Sequence, residues 1–87
     1  MFHGQECPHC QAIHPIVDKL IQEGFEIDKL EVWHSQDNEE LMNNYAEIIT
    51  SSCGGNLGVP SFLDIEGNRA TCGVMSYDNL RAWIINE

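Results

Sequence analysis

The sequence predicts a single α/β domain, residues 1–87, with a mixed four-stranded sheet flanked by helices. Two observations lead to this prediction. Apolar residues recur at three- and four-residue spacing in several stretches, as in amphipathic helices, and these alternate with short stretches rich in β-branched and aromatic residues. The resulting order is β-α-β-α-β-β-α, in which the first βαβ unit requires parallel strands joined by a right-handed crossover.

The first half supplies a strand, a helix and a second strand. Residues 1–4 predict a very short strand ending at Gly4, and residues 25–34 (FEIDKLEVWH) predict the second strand. Between them a helix is expected over residues 8–23, with Gly24 as its C-terminal cap. Pro15 lies inside this helix, where a proline removes a hydrogen bond and usually causes a kink.

The second half begins with another helix and a glycine-rich loop. Ser35 or Asp37 is suited to cap a helix near residues 38–48, whose apolar positions repeat at helical spacing. Residues 50–58 (TSSCGGNLG) are rich in glycine, serine and asparagine, which indicates a loop.

The last elements are a hairpin and a helix. Residues 59–65 predict a strand, residues 66–68 a turn, and residues 69–73 the returning antiparallel strand. Ser76 is a candidate N-cap for the last helix, whose apolar face carries Leu80, Trp83 and Ile84.

Charge and hydropathy limit the partners. Fourteen acidic residues against four lysines and arginines give a formal charge of −10, so nucleic acid and anionic membrane surfaces are not expected as partners. Neutral or basic proteins are compatible with this surface, and the charge also favours solubility. No apolar run spans a bilayer and no signal peptide is visible, so a complete chain of this sequence is expected in the cytoplasm. A monomer is expected.

The chemistry is expected at Cys7-Pro8-His9-Cys10, where the first predicted helix begins. A helix N-terminus presents unpaired N–H groups and a positive dipole end, which favour the nucleophilic thiolate form of cysteine. Pro8 fits the first turn because its missing N–H is not needed there. His9 adds a charge or a hydrogen-bonding group beside the sulfur. This pattern is typical of a dithiol/disulfide redox pair.

Several features together resemble the thioredoxin-like superfamily, in particular its small thioredoxins and glutaredoxins. Pro15 stands five residues after Cys10, Val59-Pro60 directly precedes a strand, and Gly73 ends the last strand before the final helix. The resemblance covers essentially the whole chain. It implies a thiol–disulfide oxidoreductase in which Cys7 attacks and Cys10 resolves the mixed disulfide.

The resemblance also implies how substrates dock and which partners regenerate the active-site cysteines. Pro60 would be in cis, and the Val59 backbone would pair with the substrate chain near Gly73. The partners would be protein disulfides or dithiols, together with a reductase or glutathione. No cofactor beyond the dithiol is implied.

The chain departs from the family pattern at two positions. Glu6 precedes the first cysteine where thioredoxins usually have tryptophan, and a carboxylate there disfavours the Cys7 thiolate. Met1 stands where thioredoxin has its buried aspartate, so that proton-transfer role is expected to be missing. The Pro8-His9 dipeptide is the one that strongly oxidising members carry, which suggests a relatively oxidising potential.

Cys53 and Cys72 form a second candidate pair. If residues 66–67 make a tight turn, Ser61 faces Cys72, which then lies one strand from Pro60. Cys53 lies in the glycine-rich loop before Pro60, which makes Cys72 its candidate partner. Three interpretations stay open: a disulfide that pins the loop, a relay partner for Cys7 and Cys10, or two buried small hydrophobic residues.

A binding function is the main alternative to redox turnover. The soft ligands His3, Cys7, His9, Cys10 and Cys53 are suited to zinc or an iron–sulfur cluster, and the same cysteines are suited to holding a partner protein. The chain has no second CxxC motif, so a resident metal is not expected.

Overall fold

The computed structural model describes residues 1–85, and these residues form an α/β fold with four strands and four helices. Among the described residues, no helix combines the length and the apolar character needed to cross a membrane. In chain order the elements are β1 (Phe2–His3), α1 (Pro8–Gln22), β2 (Leu30–Glu31), α2 (Gln36–Asn44), α3 (Ala46–Ser52), β3 (Ser61–Asp64), β4 (Arg69–Cys72) and α4 (Tyr77–Ile85).

The four strands form one mixed sheet in the order β2-β1-β3-β4, which confirms the predicted mixed four-stranded sheet. β1 runs parallel to β2 and antiparallel to β3, while β3 and β4 form the antiparallel hairpin. The chain reverses through residues 65–68. Ser61 lies opposite Cys72, which is the register predicted from a tight turn at residues 66–67. The hairpin therefore brings the start of β3 next to the end of β4.

Two predicted elements differ from the structure. The second strand, expected within residues 25–34, pairs only at Leu30–Glu31 because its one neighbour, β1, is itself two residues long. The single helix expected near residues 38–48 is two helices, since the backbone of Tyr45 (φ −111°, ψ 18°) leaves the helical region. Only one residue interrupts the helices, so the apolar spacing continues across the break and conceals it. The element order is therefore β-α-β-α-α-β-β-α.

Two apolar clusters lie on opposite faces of the sheet. Successive residues of a strand point to opposite faces, and accordingly Met1 packs in one cluster and Phe2 in the other. α1 and α4 cover the first face with Ile13, Val17, Leu20 and Leu80, and α2 and α3 cover the second with Met42 and Ile49. β1 lies between both layers, and its C-terminal end leads through Gly4 directly into the start of α1.

Candidate active site

Cys7 is the N-cap residue of α1, so its side chain lies at the positive end of the helix. Its Sγ accepts a hydrogen bond from the backbone N–H of Cys10 at 3.2 Å, and Pro8 occupies the first helical turn as predicted. The backbone N–H of Cys7 in turn donates to the Gly4 carbonyl at 3.1 Å. This arrangement fixes the sulfur against a backbone donor at the positive end of the helix dipole.

Both cysteines of the motif carry free thiols, and both are buried. Cys7 is nearer to solvent than Cys10 by only a small margin: its exposed fraction is 4%, against 0% for Cys10, because the preceding turn and the loop before β3 enclose it. The two thiols nevertheless differ. Desolvation, and after it a hydrogen bond with Cys7, raises the pKa of Cys10 to about 11. Cys10 is therefore protonated at neutral pH.

A groove opens beside the Cys7 sulfur. The Val59 carbonyl oxygen lies 4.0 Å from Cys7 Sγ, and the Val59–Pro60 peptide bond is cis. The backbone N–H of Gly73 donates to the Pro60 carbonyl at 2.9 Å, which joins this loop to the end of β4. Cys10 is not among the residues that line the groove. Its lining includes Cys7, Pro8, His9, Trp33, Glu39, Met42, Leu57 and Val59.

Trp33 forms one wall of the groove and packs directly on Gly4. The ring leaves no room for a side chain at Gly4, where a Cβ would lie 2.2 Å from Trp33 Cδ2. About half of the tryptophan surface, 51%, remains exposed. The absence of a side chain at Gly4 therefore lets a large aromatic ring approach the turn that carries Cys7.

The carboxylate of Glu6, next to Cys7, is paired with a histidine. Both oxygens of Glu6 lie 2.6 Å from Nε2 of His34, which follows β2. The hydrogen bond and the charge of Glu6 raise the pKa of His34. At pH values where His34 is protonated, the negative charge beside Cys7 is offset. The sequence indicated the unfavourable carboxylate but not its partner.

Glu31 organises the loop that presents His34. Its carboxylate accepts backbone hydrogen bonds from Gln5 (2.9 Å), Trp33 (3.0 Å) and His34 (2.7 Å). Partial desolvation raises the pKa of Glu31, but these three donors outweigh it and the net pKa is lowered. A single carboxylate thus ties the turn before Cys7 to the loop after β2.

The side chains of Glu6, Glu31 and His34 also bring possible metal-ligand atoms within 4.8 Å of one another. All three already have hydrogen-bond partners within the protein: Glu31 binds backbone N–H groups, and Glu6 binds His34. This set differs from the soft ligands that the sequence suggested, since it contains no cysteine. Cys53, one of those soft ligands, is bonded to Cys72.

The second cysteine pair is joined in the structure. Cys53, at the end of α3, and Cys72, at the end of β4, form a disulfide with Cα atoms 5.9 Å apart. The loop between Cys53 and Ser61 carries Val59 and cis-Pro60. Its far end is held by the buried Ser61 hydroxyl, which donates to the Gly58 carbonyl. Of the three interpretations, the geometry corresponds to the disulfide that pins this loop.

The structure brings together most of the predicted site residues. Glu6, Pro8 and His9 adjoin Cys7, while Val59, Pro60 and Gly73 form the neighbouring loop and strand end. His9 is exposed and lines the groove. Sequence analysis did not identify Trp33, His34 and Glu31. Their only signal was their position at the end of a predicted strand beside β1, where side chains of neighbouring strand ends converge.

Comparisons with known proteins did not identify a relative of this chain. No protein-family model matches the chain, and no curated protein or solved structure matches it either. What this chain does is therefore inferred from its residues and from the geometry of the site itself.

Proposed function

We propose that this chain is a thiol–disulfide oxidoreductase with a thioredoxin-like fold, acting through Cys7 and Cys10. The observation that carries the proposal is the position of Cys7 Sγ, which caps α1 and accepts the Cys10 N–H at 3.2 Å beside an open groove. A purely structural disulfide needs neither a helix dipole at one sulfur nor a groove next to it. The β-α-β start, Pro15 within α1 and the cis bond at Pro60 support the thioredoxin-like assignment.

The reaction follows from the different surroundings of the two thiols. The Cys7 thiolate attacks one sulfur of a partner disulfide, forms a mixed disulfide and releases the partner's other sulfur as a thiolate. Cys10 then attacks Cys7 Sγ and displaces the partner's remaining sulfur. The partner gains two electrons, and Cys7 and Cys10 become a disulfide. A reductase dithiol, or two glutathione thiols, then gives two electrons to this disulfide, becomes a disulfide itself and returns Cys7 and Cys10 to the reduced state.

The groove suggests which partners fit. An extended peptide lying along the loop can pair with the Val59 backbone, as a strand pairs at an open sheet edge. Met42, Leu57 and Trp33 offer apolar contacts beside that edge. Glu39 also lines the groove, and the chain carries a net charge of −10, so neutral or basic polypeptides are favoured over acidic ones.

Reduction of insulin by dithiothreitol tests the proposal. Wild type should accelerate the reaction, Cys7→Ser should abolish the acceleration, and Cys10→Ser should accumulate a mixed disulfide at Cys7 that mass spectrometry detects. A wild-type protein that exchanges with no dithiol or disulfide contradicts the proposal. The reduction potential of the couple then shows the direction of transfer, since about −270 mV is typical of a reductant and about −120 mV of an oxidant.

The alternative is a binding module that holds zinc, an iron–sulfur cluster or a partner protein through the same cysteines. It predicts protein-bound metal or a stable complex after anaerobic purification, with no turnover in the insulin assay. The cysteine set available for metal is reduced, because Cys53 and Cys72 are bonded to each other. Metal analysis on the sample used for the insulin assay separates the two functions.

A further inference from the structure

The resolving step of the proposed reaction needs a base. Cys10 is fully buried, and burial raises its pKa to about 11, so its thiol is protonated at neutral pH. A protonated thiol does not attack a disulfide, because the thiolate is the nucleophile. A group close to Cys10 must therefore accept this proton before the mixed disulfide can be resolved.

Two histidines lie on the sheet face that α1 covers. The rings of His3 and His14 meet edge to face, with centroids 4.8 Å apart. His14 follows Cys10 by one helical turn, and residues four apart on a helix are neighbours on one face. His3 directly precedes Gly4, whose carbonyl accepts the backbone N–H of Cys7 at 3.1 Å. The histidine pair thus adjoins Cys10 along α1, and β1 leads from His3 through Gly4 into the turn that carries Cys7.

The His3 ring has a buried nitrogen without a partner in the described part of the chain. Its Nδ1 atom is buried and has no hydrogen-bond partner among residues 1–85, and it is the one buried side-chain nitrogen or oxygen there with this property. A buried polar atom without a partner is costly, so its presence calls for an explanation, and a catalytic role is one such explanation. Neutral imidazole accepts a proton at the nitrogen that carries none, and this nitrogen is free of competing donors.

The surroundings keep both rings neutral. Desolvation, and then the neighbouring His14, lowers the pKa of His3, and Lys29 and the N-terminal amine act in the same direction while Glu31 opposes them. Desolvation and Lys29 lower the pKa of His14, with Asp18 opposing. Both imidazoles are therefore bases, not cations, at neutral pH.

We propose that His3 accepts the Cys10 proton at Nδ1 during the resolving step, and that His14 is a positioning residue that orients the His3 ring. This role rests on the proposed oxidoreductase function. The Cys10 S–H proton moves to His3, the Cys10 thiolate forms a bond with Cys7 Sγ, and the bond between Cys7 and the partner sulfur breaks. The partner leaves as a thiolate, which takes up a proton from water, and His3 returns its proton to solvent.

The reaction of reduced protein with Ellman's reagent separates the two steps. Attack by Cys7 releases the first thionitrobenzoate, and attack by Cys10 on the resulting mixed disulfide releases the second. The protein is reduced only at Cys7 and Cys10, which a count of two thiols confirms, so that Cys53 and Cys72 do not contribute. Cys10→Ser serves as the control that removes the second phase.

His3→Asn and His3→Gln should slow the second phase about tenfold or more at pH 7 and leave the first phase within about twofold. In wild type the second-phase rate should rise with pH below the ordinary histidine pKa of 6.5 and then level off. In the variants it should keep rising towards the pKa of Cys10. His14→Gln should give a smaller loss with the same plateau, since His3 remains the acceptor.

Several outcomes overturn the proposal. A second phase that His3→Asn and His3→Gln leave within twofold shows that another group takes the proton, while the oxidoreductase function stands. Equal slowing of both phases shows a structural role. The pH profile of wild type is a test that needs no variant. A second-phase rate that rises tenfold per pH unit up to pH 9 excludes a histidine base. Absence of a second phase in wild type contradicts the oxidoreductase function itself.

Discussion

His34 Nε2 lies 2.6 Å from both carboxylate oxygens of Glu6, the residue immediately before Cys7. The pair lies at the surface, where an ion pair contributes little to folding stability. Its effect is expected at the neighbouring sulfur instead. The hydrogen bond and charge of Glu6 raise the pKa of His34, so the offsetting positive charge is fully present below pH 6.5 and is lost as pH rises through the raised pKa.

Glu6→Gln should therefore accelerate alkylation of Cys7 by iodoacetamide, by about two- to fivefold at pH 8, because a nearby negative charge is removed. His34→Gln should slow alkylation at pH 6, where it leaves Glu6 without its cation, and have little effect at pH 9. The double variant should behave like Glu6→Gln at pH 8 and above, where the histidine freed from Glu6 is neutral. Equal rates for wild type and both single variants would show that the pair does not act on the sulfur.

Gly4→Ala should displace Trp33, because the added Cβ would lie 2.2 Å from the ring. In a Trp83→Phe background, where Trp33 is the one emitting tryptophan, its fluorescence should shift to longer wavelength as the ring moves into water. Turnover of a protein disulfide should fall several-fold through a higher KM. In Trp33→Ala the same glycine substitution should cost little, and an additive loss in the double variant would rule out their direct contact.

Replacing both Cys53 and Cys72 with alanine should lower the free energy of unfolding by about 2 to 4 kcal/mol, because the unfolded chain regains the freedom of a closed loop. The two residues are 19 positions apart and the loop between them carries Val59. The variant should therefore raise KM for protein disulfides more than it lowers kcat. Urea unfolding checks the stability. With all cysteines reduced, wild type should be as stable as the variant, and equal stability while the Cys53–Cys72 disulfide is intact would contradict the prediction.

Asp64 should contribute to the acid sensitivity of the fold. The backbone N–H of Gly67, opposed by partial desolvation and assisted by Arg69 at 3.1 Å, lowers the pKa of Asp64 below 3.8. A lowered carboxyl pKa gives stability that is present above about pH 3.8 and is lost as pH falls through the folded value. Asp64→Asn should therefore reduce Tm at pH 7 and converge with wild type below pH 3.

The matched control is Glu66→Gln, which removes one charge from an exposed position in the same turn. Its Tm should follow that of wild type across the pH range. A constant Tm difference between Asp64→Asn and wild type from pH 7 to pH 2 would show that the Asp64 contribution does not depend on its ionisation.

Local sequence signals were sufficient to predict several elements of the fold, including the start of the helix that carries Cys7 and Cys10. Pro8 at the start of α1 was predicted, and the Ser76 hydroxyl does cap α4, accepting the Asn79 N–H at 3.1 Å. The hairpin register that puts Ser61 opposite Cys72 also followed from the sequence. Each of these depends on residues a few positions apart, or on counting outward from one turn, so a linear pattern contains the necessary information.

Strand length and helix continuity depended on the tertiary structure. β2 extends only as far as β1 offers backbone partners, although residues 25–34 have strand-like composition throughout. The break at Tyr45 leaves the apolar spacing unchanged, so no sequence signal marks it. A strand is defined by its neighbour, and that neighbour is more than 20 positions away in the chain.

The sequence alone determined that two cysteines stand at a helix start, where the backbone favours a thiolate. The tertiary structure decided what surrounds them: His34 on Glu6, the Trp33 ring on Gly4, and His14 against His3. It also joined Cys53 to Cys72, one of three possibilities that spacing left open. The first three contacts connect residues 11 to 29 positions apart, which the packing of α1 and β2 around β1 brings into reach of one another. The disulfide depends instead on the end of α3 lying against the end of β4.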